Sequence, residues 1–177
     1  DAYAFAKLEQ ESRFLAYGRS HQVPVLCGRI FNLSGPFINK LEEYAISNFV
    51  LQALNTGIIR IEAPHPTFRS FLHVRDLCRL VLRSSRSGFE ARRPIDLCGN
   101  EVLEMKNIAA LVGESFSQKI EIKRVAISFS KISEYIGRSL DTQVLAMQHS
   151  LALADSKTQI CDTIEWIKST ANRRRKG

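Results

Sequence analysis

Tyr3 and Lys7 stand four residues apart in DAYAFAKLEQE, a stretch rich in helix-forming residues. At that spacing two side chains share one face of a helix and can meet. A phenol is a weak base at neutral pH, but a nearby ammonium favours the phenolate. Such a pair can remove the proton of an alcohol being oxidised, or return one to a carbonyl being reduced. YxxxK also arises by chance on amphipathic surface helices, so the pair alone leaves two readings open. Other acid–base and metal chemistries find less support. Cys27, Cys78, Cys98 and Cys161 are scattered among apolar neighbours with no CxxC pair, as buried thiols of a cytoplasmic protein would be. His21 and His65 are read as surface or loop residues, as is His149.

The elements that must position the pair alternate between helix and strand. Residues 3 to 17 lack proline and glycine, and Gly18 stands where a helix cap is expected. VPVLCGRIF reads as a strand buried on both faces of a parallel sheet, and NLSGP as the loop that leaves it. Lys40 to Leu54 has helical spacing, IIRIEA is a short strand, PHPTF a loop and SFLHV a strand leading into a helix from about Arg75 to Ser84. PIDLCG is a buried strand, Lys106 to Phe116 a helix and KIEIKRV a strand with one face exposed. Residues 128 to 156 fit no single pattern, and Thr158 to Ala171 closes the fold as a helix. This order predicts an α/β protein. Yet no pair of the nine glycines makes GxG, so neither a dinucleotide turn nor a P-loop can be written.

With 177 residues and 45% hydrophobic content, the chain can bury a sizeable core. Its net charge of +7 would suit a polyanion partner, but Arg173-Arg174-Arg175-Lys176 supplies more than half of it, without interleaved aromatics. A solvated basic tail over residues 171–177 is the expectation, with nucleic-acid binding the less favoured alternative. The apolar runs are short and broken by charge, so neither a membrane-spanning helix nor a signal peptide is expected.

Taken together, YAFAKLEQE, VPVLCGRIFNLSGP, RSFLHVRDL and PIDLCGNE resemble the extended short-chain dehydrogenase/reductases, the NAD-dependent epimerase/dehydratase family of nucleotide-sugar enzymes. That family shows YxxSKxxxE, then R-x-F-N-x-x-G-P, then R-D-[FY]-x-[HY]-V-x-D, then NxGxG, in the same order. The resemblance implies the C-terminal portion of a Rossmann-like doubly wound parallel sheet, its end at residues 1–35, with a small, mixed α/β substrate lobe and returning Rossmann elements over residues 36–170. It implies NAD as cofactor, NADP remaining open, a nucleotide-sugar substrate and a homodimer in a full-length protein about twice as long. Tyr3 then matches the catalytic tyrosine, and Lys7 the lysine that tunes it and holds the nicotinamide ribose. Ile30 lies on the strand beside the nicotinamide. Phe31 and Asn32 face the sugar nucleotide, and Arg69 meets the diphosphate. Glu11 is read as a surface residue paired with Lys7. His73 and Asp76 are given structural work, the latter near a helix N-terminus.

Departures from the family pattern are Ala6 for the serine of YxxSK, Ser70 for the aspartate of R-D, and Asp96 and Asn100 in NxGxG. The family's glycine-rich turn and the Ser/Thr that assists the tyrosine have no counterpart here. The chain is therefore expected to be the C-terminal half of a longer enzyme, inactive alone. A non-catalytic relative that keeps the fold as a binding or scaffold module is the alternative.

Overall fold

The computed structural model describes residues 1–89 and 91–174. Helix α1 (Ala2–His21) starts at Asp1, whose side chain accepts from the Tyr3 N–H. It runs one turn past Gly18 and ends at Gln22, which takes the left-handed conformation at φ 55°. Gly18 therefore lies inside the helix rather than capping it. A Cβ there would fall 2.7 Å from Val25 and 2.9 Å from the Val23 carbonyl, because the chain doubles back across the helix at that point.

Strand β1 (Gly28–Ile30) pairs in parallel with β5 (Ile95–Leu97), and the pairing is extended by bonds from Ala91 N–H to Val25 O and from Phe31 N–H to Leu97 O. The expected burial on both faces is not observed, since Gly28, Arg29 and Ile30 are all exposed. β5 is its one ladder partner among the described residues, and the faces of so short a ladder are only partly covered. Directly after it, β2 (Asn32–Ser34) joins a second sheet beside β4 (Thr67–His73). Thr67 and Phe68, read from sequence as loop, thus belong to a strand.

β4 organises that sheet. Its second half pairs in parallel with β2, Asn32 facing Phe71. Its first half pairs with two strands, β6 (Val102–Glu104) antiparallel and β8 (Ser133–Tyr135) parallel. A third, two-stranded parallel sheet joins β3 (Ile58–Ile61) to β7 (Glu121–Arg124). The parallel strands expected of an α/β protein are present, distributed over three small sheets.

Two apolar clusters hold the helices. In the larger, α2 (Ala45–Thr56), α4 (Met105–Glu114) and α6 (Ser156–Arg174) cover β3, packing Val50, Ala53, Ile108, Val112 and Ile160 around Ile59, all essentially buried. In the smaller, α3 (Val74–Ser87) and α5 (Ser139–Gln148) pack Leu80 and Leu145 against Leu72 and Leu97. α6 extends to Arg174, beyond the expected end at Ala171, and the rest of the basic tail lies outside the described residues. Among the described residues no helix is long and apolar enough to cross a membrane, and no three His, Cys, Asp or Glu residues gather as a metal site.

Candidate active site

Helix α1 carries the Tyr3/Lys7 pair on an unusually open surface. Its apolar residues fall on all sides, and Tyr3, Phe5, Leu8, Phe14 and Tyr17 are each more than half exposed. Lys7 Nζ lies 5.7 Å from the centre of the Tyr3 ring, within cation–π range, and donates to Gln10 Oε1 at 3.4 Å. The two side chains share one face, as their spacing requires.

Glu11, one turn further on, does not pair with Lys7. Its carboxylate accepts from Arg29 Nε and Nη2 at 2.7 Å each, the planar fork of a bidentate ion pair. Those bonds hold the Glu11 carboxyl below its ordinary range and push Arg29 up. Spacing along a helix favoured Lys7, but a guanidinium arriving from β1 offers two parallel donors where an ammonium offers one point charge. The fork ties α1 to the strand that carries Ile30, itself about half exposed. Between them runs a groove of about 370 Å³, bordered by Lys7, Glu11, Phe14 and the Val25–Gly28 segment.

Where β1 gives way to β2, Phe31, Asn32 and Arg69 come together around β8. Tyr135 stacks on Phe31 with ring centres 4.9 Å apart, tilted by 39°. β8 and β2 lie end to end along the same edge of β4, since Tyr135 faces Arg69 and Asn32 faces Phe71. Asn32 sits at that junction, and its amide nitrogen donates to Ser70 O and to Tyr135 O, both at 3.1 Å. Arg69 Nη1 donates to the Phe68 carbonyl at 2.7 Å and approaches Ser133 O and Oγ at 3.4 and 3.5 Å. The Ser70 hydroxyl is buried at the same junction, beside the Cys98 thiol. Gly137 is required here, because a Cβ would fall 2.7 Å from Phe31 and 2.9 Å from Cys98 Sγ.

The end of this segment is anchored by Asp96, whose Oδ2 accepts from the Arg138 N–H at 2.9 Å. Asp141 accepts the Arg93 fork at 2.9 and 2.6 Å and the Asp96 N–H at 3.1 Å, fixing the start of α5 to β5. Asp96 thus has a positional role. Tyr135 and Gly137 escaped the sequence reading because KISEYIG gives only three alternating residues inside a polar stretch.

The turn that leaves β2 is set by packing. Gly35, at φ 101°, lies against the His73 ring, where a Cβ would be 2.8 Å from Nε2, and its N–H donates to Thr163 Oγ1. His73 caps α3 through Nδ1, which accepts from the Arg75 N–H at 2.9 Å. Its other nitrogen therefore carries the proton and faces Asp162 Oδ2 at 3.1 Å. Asp76, in the first turn of α3, accepts from the Ala154 N–H at 2.8 Å. Both residues do the structural work expected of them.

The geometry defines an α/β protein in which an exposed Tyr/Lys helix stands beside a parallel strand, with a cluster of Phe, Asn and Arg at that strand's end. The family model described as "NAD dependent epimerase/dehydratase family" matches residues 1–96. The chain belongs to that family, whose members modify nucleotide sugars.

UDP-glucuronic acid decarboxylase 5 of Arabidopsis thaliana is 30% identical over 123 residues, 70% of this chain and 36% of the relative. A GDP-L-fucose synthetase from Naegleria fowleri bound to NADP superposes with a TM-score of 0.75 at 18% identity, over 97% of this chain and 55% of that one. The UDP-N-acetylglucosamine 4-epimerase of Methanobrevibacter ruminantium, in complex with UDP-N-acetylmuramic acid, gives 0.73 at 19% identity, over 95% and 54%. At these identities the structural likeness shows the fold. The chain spans about a third of the length of the curated relative and half that of the solved structures.

Proposed function

We propose that this chain is the substrate-side part of an NAD- or NADP-dependent nucleotide-sugar epimerase or dehydratase, with Tyr3 and Lys7 as its acid–base pair. The observation that carries the reading is the Glu11–Arg29 fork, which couples the Tyr3/Lys7 helix to the strand ending in Phe31 and Asn32. Tyr3 takes the proton of a sugar hydroxyl. Lys7 favours the phenolate and, with Tyr3 and Ile30, borders the nicotinamide end of the cofactor. Phe31, Asn32 and Arg69 line the sugar-nucleotide side, where the guanidinium suits a diphosphate.

A nicotinamide cofactor, when bound, supplies a reversible hydride acceptor. The residues present fit one end of it. The groove beside Lys7 has room for a ribose, whereas no glycine-rich turn is available for the pyrophosphate. We therefore propose that further strands of a longer polypeptide complete the cofactor site. The exposed apolar surface of α1 and β1 supports this, and also supports dimerisation of the complete enzyme through α1.

Titration of the chain with NAD and NADP, followed by assay of the complete enzyme carrying Tyr3→Phe, tests the reading. Expected are weak or absent cofactor binding by the chain and, in the complete enzyme, a rate loss of at least 100-fold with unchanged stability. Full activity of the Tyr3→Phe enzyme would favour a non-catalytic scaffold instead.

A further inference from the structure

We propose that residues 128–138 form a strap that competes with the sugar nucleotide for the Phe31/Arg69 face, with Asn32 as the positioning residue that latches it. The proposal rests on the sugar-nucleotide reading above. The strap is pinned at both ends, by Ser128 N–H to Pro64 O at 2.8 Å and by Arg138 N–H to Asp96 Oδ2 at 2.9 Å. Between the pins it adds little to the core. Phe129, Ile132 and Tyr135 are 80, 58 and 49% exposed. What holds it down is the three-residue β8 ladder with the Ser133 N–H to Pro66 O bond, the Asn32 bridge, the tilted Tyr135–Phe31 contact and Gly137 seated against Phe31 and Cys98. Segments held by few buried contacts open at low free energy.

The closed strap uses the donors that a diphosphate would need. Both N–H groups of the Asn32 amide are engaged, one by Tyr135 O, so that a ligand oxygen can reach this amide only by breaking a bond to the strap or to β4. Arg69 holds Ser133 at 3.4–3.5 Å, the outer limit of an N–H···O bond. A diphosphate oxygen would accept charge-assisted bonds from that guanidinium at about 2.7–2.9 Å, shorter and stronger. A ligand that binds only the open strap has its apparent affinity reduced by the open fraction.

Hydrogen exchange and calorimetry with UDP and GDP, on the chain and its Tyr135→Ala, Tyr135→Phe and Asn32→Leu variants, test this, with exchange in α4 as the control for folding. Releasing the strap has the opposite sign to losing a ligand contact. Tyr135→Ala and Asn32→Leu are expected to speed exchange at residues 133–136, and Tyr135→Ala, which removes no ligand donor, to tighten nucleotide binding by about three- to tenfold. Tyr135→Phe keeps the ring and should behave as the wild type. Nucleotide should speed exchange in the wild-type strap. Unchanged exchange in Tyr135→Ala and Asn32→Leu, or weaker nucleotide binding by Tyr135→Ala, overturns the strap while leaving the sugar-nucleotide reading intact. Failure of UDP and GDP to bind any of the four chains overturns both, and accelerated variant exchange would then show the latch to be structural only.

Discussion

Arg29 grips Glu11 through two bonds of 2.7 Å, and this fork sets the helix bearing Tyr3 and Lys7 against the strand that leads to Phe31 and Asn32. Arg29 side-chain exposure is 45%, so solvent screens the pair and its stabilisation is about 1 kcal/mol. Arg29→Ala should lower the melting temperature by about 3 °C. Arg29→Lys keeps the charge but loses the second bond and should recover only part of it. Because the fork holds the Glu11 carboxyl low, its contribution is complete above about pH 4.3 and fades as pH falls below that value. The gap between the melting temperatures of wild type and Arg29→Ala should therefore be smaller at pH 3 than at pH 7.

A larger acid-sensitive contribution comes from Glu104. Burial raises its carboxyl, but the Arg124 fork at 2.8 and 2.9 Å and the Lys106 and Thr67 N–H groups outweigh that and bring it to about 2. Both side chains are less than one fifth exposed. The shift corresponds to about 3 kcal/mol, present in full above about pH 5 and lost as pH falls toward 2. Glu104→Gln should destabilise by about that amount at neutral pH, since it leaves Arg124 buried against a neutral amide. Urea denaturation at pH 7 and at pH 2.5 is the check, and the difference between the two proteins should shrink sharply at the lower pH.

His73 should titrate the other way from a surface histidine gaining a charged partner. Burial depresses its pKa, and protonating Nδ1 would remove the acceptor that caps the Arg75 N–H. In the unfolded chain the ring takes up a proton near pH 6.5. The unfolded state thus binds more protons below that value, so the contribution of neutral His73 is full above it and declines as pH falls. An NMR titration should place the His73 midpoint below that of a free histidine.

How far the site was legible from sequence depends on what kind of signal each part carries. The Tyr3/Lys7 helix and the β1 run were legible because helical spacing and a β-branched run are local patterns, whereas the roles expected of Phe31, Asn32 and Arg69 came from the family resemblance. Glu11 was misassigned because its partner arrives from β1, and contacts between elements leave no periodic trace. Gly18 looked like a cap for the same reason, since Val23 and Val25, which demand its missing side chain, are positioned by the return of the chain. β8 was unreadable because a three-residue strand that adds to an existing edge needs no apolar alternation of its own. The order of strands and helices was legible, whereas their distribution over three sheets was not, because sheet partners such as β3 and β7 are more than fifty residues apart.

Gly18 and Gly113 give a paired test of that lesson. Each lies inside a helix without a left-handed backbone, so alanine gains helix propensity at both, by up to about 1 kcal/mol. At Gly18 the added methyl meets Val25 at 2.7 Å and the Val23 carbonyl at 2.9 Å, and one of the two contacts is backbone. Overpacking of this kind costs about 1–3 kcal/mol and outweighs the propensity gain. At Gly113 the nearest atom is Ile120 Cβ at 3.6 Å, an ordinary contact. Gly18→Ala is therefore expected to destabilise by about 1–2 kcal/mol and Gly113→Ala to stabilise by about 0.5 kcal/mol, as read by chemical denaturation. A stable Gly18→Ala protein would mean that the chain after α1 does not return across the helix, and the groove between α1 and β1 beside Lys7 would lose its support.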